Sequence, residues 1–126
     1  MNQLLFGFAA VSGFVMVAMG AFGAHGLKDK LAPNLMSAFE TGVHYQAIHT
    51  LAIIACCLAA TQFEKSIWFH YAAIGFAVGI VLFSGSLYGL ALTSLKWLGP
   101  VTPMGGLFFL AGWAMLLTAV IKHVGK

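Results

Sequence analysis

Four long apolar stretches, separated by short polar segments, dominate the pattern of this chain. The first runs from Leu4 to Ala24 with Ser12 as its one polar interruption; the others cover about residues 38–61, 67–95 and 102–122. A helix needs about 20 apolar residues to cross the hydrocarbon core of a bilayer, and each stretch reaches that length. The short alternating segments of a membrane β-barrel are not part of the pattern. The prediction is an all-α, integral membrane four-helix bundle, a single domain over residues 1–126 with short loops. An even number of spans places both termini on the same side of the membrane. Between the first two spans, Leu27, Leu31 and Leu35 recur about one turn apart, which predicts a short amphipathic segment at the interface, interrupted or restarted by Pro33.

Composition excludes whole classes of function. Of the 126 residues, 61% are hydrophobic, 7% are charged and none is arginine, whereas soluble domains carry roughly a quarter charged residues. The net charge of +3 comes without a basic run, so a nucleic-acid partner is not expected; the expected partner is the lipid bilayer. Lysines outside the spans divide evenly, with Lys65, Lys122 and Lys126 on one side and Lys28, Lys30 and Lys96 on the other. The positive-inside rule therefore assigns no orientation. The first stretch is read as a retained span because no basic residue precedes it and it exceeds the roughly 7–15 apolar residues of a secretory signal. Cys56 and Cys57 are adjacent, lack the gap of redox or zinc pairs, and read as small packing residues.

Local signals suggest where helices begin. Ser37 and Glu40 fit an S-x-x-E capping box, and Thr102 followed by Pro103 suits an N-cap with proline at the first helical position. Trp68, Tyr71 and Trp97 flank the third span at the headgroup level. Helices in lipid associate through small residues and interhelical hydrogen bonds, and two stripes of small residues stand out. Gly13 and Gly20 lie on one face of the first span with Ala9, Met16 and Gly23. Gly75 and Gly79 form a G-x-x-x-G on the third with Leu82, Ser86, Gly89 and Thr93, and Gly85–Gly89 repeats the spacing on a neighbouring face. These glycines are expected to meet other helices, in the same chain or in a copy of it.

The polar residues of the second span are the candidate chemistry. Glu40 and His44 share one helix face, while Tyr45 and His49 lie on the other with Gln46 at its edge. Counted from Ser37, His49 sits roughly 18 Å along the helix, near the bilayer centre. A titratable group there needs a partner inside the bundle. Tyr45 and Gln46 lie one turn away, and Ser84, Ser86, Tyr88 and Thr93 of the third span are candidates. The plain reading is a neutral histidine acting as polar glue; the alternatives are a proton or solute pathway and cofactor ligation with His25 as a second ligand. His44 and His49 diverge by about 140° around the helix, and His49 has no second mid-span histidine for a bis-histidine haem. No metal site and no cofactor are expected. Nucleophile elbow, phosphate loop and metalloprotease motifs are missing from the sequence, and catalytic function is not expected.

Four segments, "GAFGAHGL", "TGVHYQAIHTLAI", "FSGSLYGLALT" and "VTPMGGLFFLAGW", resemble in order the YgdD-like family of small bacterial inner-membrane proteins. This family is called domain of unknown function 423 and is related to transmembrane protein 256 of animals. The resemblance covers nearly the whole chain. It implies a four-span protein of a bacterial inner membrane and implies no established activity. The family's signature positions would fall on Gly23, His25 and Gly26; on Tyr45, Gln46 and His49; on Ser84, Gly85, Ser86 and Tyr88; and on Thr102, Pro103, Gly105 and Gly106. It implies no requirement for histidine at His44. The expected function is a structural or interaction bundle that self-associates or accompanies a larger membrane complex.

Overall fold

The computed structural model describes residues 2–125. Every regular element among them is helical, and four helices are long and apolar enough to cross a membrane: Gln3–Leu27, Pro33–Gln62, Trp68–Thr93 and Lys96–His123. The first span is α1 (Asn2–Phe22) closed by a π-helical turn, Gly23–Leu27; the second is α2 (Pro33–Gln62). The third joins α3 (Trp68–Gly79) to α4 (Gly85–Thr93) through a second π-turn, Ile80–Ser84. A 3-10 turn at Lys96–Leu98 leads into α5 (Val101–His123).

The second and third spans form the centre. Against α2 packs α1, which also touches the α3 half of the third span, while α5 runs along α3 and the second π-turn. Phe39, Ile53, Cys56, Cys57 and Phe76 are almost completely enclosed. Both cysteines are free thiols within this core. Small residues make such close packing possible. A Cβ on Gly105 would lie 2.3 Å from the Phe83 backbone nitrogen, and one on Gly112 would lie 2.6 Å from the Phe76 ring. Lipid offers no hydrophobic drive between helices, so this contact and the hydrogen bonds across it hold the bundle.

Three local expectations are corrected. The second span starts at Pro33, after Ala32 in extended geometry (φ −58°, ψ 150°). Proline at the first helical position is already preset for the helix, so Ser37 and Glu40 lie inside α2 and form no capping box. Instead the Ser37 carbonyl accepts a hydrogen bond from the Thr41 hydroxyl at 2.9 Å. No separate amphipathic helix lies between the first two spans: Leu27 closes the first, Leu35 belongs to α2, and Leu31 sits in the turn between them. Nor is Thr102 an N-cap, because α5 begins at Val101, with Pro100 before it in αR geometry at the N-cap position. Pro103 then falls within the first turn, where a missing N–H still costs no internal bond.

The remaining ends have local causes. Ser66 accepts a bond from the Trp68 amide at 3.3 Å at the start of α3. Ser94 adopts the left-handed conformation, φ 58°, and ends α4 with its amide donated to the Leu90 carbonyl at 2.9 Å. Near the Trp68 end the Lys122 ammonium lies 5.2 Å from that indole ring, a cation–π contact placed where Trp favours the headgroup level.

Candidate functional site

Gln46 is the hub of one hydrogen-bond network. Its side-chain nitrogen donates to the Ser12 carbonyl at 3.1 Å and to the Ser12 hydroxyl at 3.0 Å. A carbonyl can only accept, so the amide nitrogen faces α1 and the amide oxygen faces Tyr88. The Tyr88 hydroxyl therefore donates to that oxygen, at 2.5 Å. Ser12 in turn shares a 2.7 Å hydroxyl bond with Thr50. One glutamine thus ties the first, second and third spans together, and Gln46 is only 3% exposed.

His49 belongs to a second group, toward the fourth span. Its Nδ1 lies 2.7 Å from the Tyr45 carbonyl, and its Nε2 accepts from the Trp113 indole N–H at 3.0 Å. The carbonyl can only accept and the indole can only donate. Together they fix a neutral imidazole with the proton on Nδ1 and the lone pair of Nε2 engaged. The ring stacks on Phe109, with centroids 3.7 Å apart and planes 11° from parallel, and Phe76 flanks it at 5.4 Å. A metal ion at Nε2 would have to displace Trp113.

The predicted partners are therefore divided. Gln46 and Tyr88 meet each other, and neither is among the hydrogen-bond partners of His49. Ser84 donates to the Gly42 carbonyl at 2.7 Å, a bond from the third span to the second. Ser86 bonds the Phe83 carbonyl at 2.9 Å and the Thr102 hydroxyl at 2.5 Å, linking the third span to α5. Because Ser86 gives its own proton to the carbonyl, Thr102 donates to it. The Thr93 hydroxyl turns back to the Gly89 carbonyl. Tyr45 lends His49 its carbonyl, while its ring lies half exposed against Phe83, 4.6 Å between centroids. His25 and His44 are exposed. Among the described residues no three His, Cys, Asp or Glu side chains gather to hold a metal.

The glycines sort by what they face. A Cβ on Gly13 or Gly20 would meet the second span, at Thr50 (4.0 Å) and Val43 (3.7 Å). On Gly75 and Gly79 it would meet α5, at the Gly112 Cα (3.2 Å) and the Phe109 ring (2.3 Å). Gly89 faces Leu98, 2.7 Å away, and Gly85 faces nothing within 4 Å. Sequence reasoning missed Ser12, Thr50 and Trp113 as members of the polar groups. Signals existed for two of them. Ser12 is the lone polar residue of the first apolar stretch. Trp113 lies in the middle of a span, away from the headgroup level this residue type favours.

Known proteins match the chain over most of its length. Residues 19–106 match the family described as protein of unknown function (DUF423). The inner membrane protein YgdD of Escherichia coli K12 is 51% identical over 115 residues, which is 91% of this chain and 87% of that protein. A UPF0382 membrane protein of Staphylococcus haemolyticus is 45% identical over 116 residues, 92% of this chain and 93% of that protein. No solved structure matches. The chain belongs to the DUF423 family of membrane proteins.

Proposed function

We propose that this member of the DUF423 family is a structural or interaction bundle of a bacterial inner membrane, with both termini on one side and no catalytic role. It packs with copies of itself or accompanies a larger membrane complex. The observation that carries this reading is the use of the intramembrane polar groups: Gln46, His49, Ser84 and Ser86 all hydrogen-bond within the chain and bind one span to another. Solute transfer or ligation needs a free donor, acceptor or lone pair at mid-span, and these four side chains bond to the chain itself. The work then falls to the outer faces. Gly85 borders an apolar groove between the first and third spans, with Phe8, Val11, Val15 and Val81 around it. Inner-membrane placement follows the Escherichia coli relative, an inner membrane protein.

Gly85→Leu tests the reading. A side chain there enters open space, so the fold stays intact while a close helix contact across the groove is blocked. Cross-linking in native membranes should show assemblies in the wild type that weaken in the variant. Absence of any cross-linked species in the wild type would defeat the proposal.

A further inference from the structure

At one end of the first two spans lies a cleft of about 380 Å³ lined by Gly20, Gly23 and Lys28 on one side and by Phe39, Glu40 and His44 on the other. We propose that this cleft holds the headgroup of an amine-bearing phospholipid of the phosphatidylethanolamine type, with the Lys28 ammonium on the phosphodiester and the Glu40 carboxylate on the primary ammonium.

The chemistry of the lining leads there. The chain has nine charged side chains, six basic and three acidic, and one of each sign faces this cleft. Both are exposed, and no ion pair joins them among the described residues. Charge on a membrane helix persists when water or a partner solvates it. A zwitterion carrying a phosphate and an ammonium would satisfy both ends at once. His44, one turn beyond Glu40 on the same helix face, supplies a further hydrogen-bonding group. The rest of the lining is apolar or glycine, including Met36, Phe39 and Val43, and suits a glycerol backbone and the start of an acyl chain.

Depth agrees with the chemistry. With 30 residues, α2 is roughly 45 Å long at 1.5 Å per residue, against a hydrocarbon core of about 30 Å. Shared between both ends, the excess puts the first turn of α2 outside the hydrocarbon and Glu40, about 10 Å from the helix start, just beneath its edge, within side-chain reach of the headgroups. The first span also ends here in a π-turn, Gly23–Leu27, a backbone form found frequently at functional sites. Gly23 is held against Phe39, where a Cβ would lie 2.7 Å from that ring, so no larger residue fits at the floor of the cleft without moving Phe39. This inference is independent of the assembly reading above.

The test is lipid retention by full-length protein extracted from vesicles of equal parts phosphatidylethanolamine, phosphatidylcholine and phosphatidylglycerol, read by native mass spectrometry. The wild type should retain the ethanolamine lipid about fivefold over the choline lipid, whose trimethylammonium has no N–H to donate to Glu40. Glu40→Gln should bring the two to parity, and Lys28→Ala should lower retention of all three. Glu64→Gln, in the turn beyond the opposite end of α2, should leave the preference intact. Parity in the wild type, an unchanged preference in Glu40→Gln, or a lost preference in Glu64→Gln would overturn the proposal. So would displacement of the lipid by soluble O-phosphoethanolamine, which would make the ligand a free metabolite.

Discussion

Replacing Gln46 with leucine should loosen the bundle at its hub. The substitution keeps approximate volume and removes three hydrogen bonds: two to Ser12 on α1 and one from Tyr88 on the third span. Interhelical hydrogen bonds in membranes average about 0.6 kcal/mol each, which gives about 2 kcal/mol for three. The Tyr88 hydroxyl is also left without a partner, at a cost of about 1–3 kcal/mol. Ser12 keeps its bond to Thr50, so the damage stays local. The expected destabilisation of Gln46→Leu is about 3–5 kcal/mol, the sum of the two, measured by reversible unfolding in mixed micelles. Tyr88→Phe added to Gln46→Leu removes the orphaned hydroxyl, so the double variant should be more stable than the two single costs added together by about 1 kcal/mol, a coupling within the range for directly bonded partners. A Gln46→Leu protein within about 0.5 kcal/mol of wild type, as for a surface substitution, would refute the assignment of Gln46 as the hub.

Nitrogen-15 spectra of the purified protein should show His49 as a neutral ring protonated on Nδ1, and Trp113→Phe should shift the Nε2 resonance while Tyr88→Phe should not. An imidazolium at neutral pH would contradict the geometry with Tyr45 and Trp113. Gly105→Ala should cost about 1–3 kcal/mol or more, because its Cβ would strike the Phe83 backbone and overpacking has that typical penalty. Gly85→Ala should be neutral or stabilising by up to about 1 kcal/mol, the helix preference of alanine over glycine; thermal melts of the two variants in detergent check both.

The spans were legible because length and apolarity alone identify a membrane helix, and Leu4–Ala24 with its single serine is unmistakable. Helix starts were less legible. The S-x-x-E pattern at Ser37 is a local signal, and Pro33 with its preset φ starts the helix earlier. The stripes at Gly13–Gly20 and Gly75–Gly79 could be seen in the sequence, but the helices they meet could not. Pairing depends on which ring or backbone fills each gap, as Phe109 does at Gly79. The same holds for His49. Its depth and its need for a partner follow from position, whereas the choice of Trp113 over Ser86 or Tyr88 depends on how α5 lies against α2. Neither π-turn has a period that a 3.6-residue reading would detect.

If the interior chemistry of this bundle is structural and its work is done through its outer faces, the protein should not stand alone in the membrane. The most direct measurement is the mass and composition of the particle extracted gently from native membranes. The particle should be heavier than the 13.4 kDa chain, built from several copies or containing a second membrane protein, and smaller for Gly85→Leu. A lone chain surrounded only by lipid, in wild type and variant alike, would contradict it.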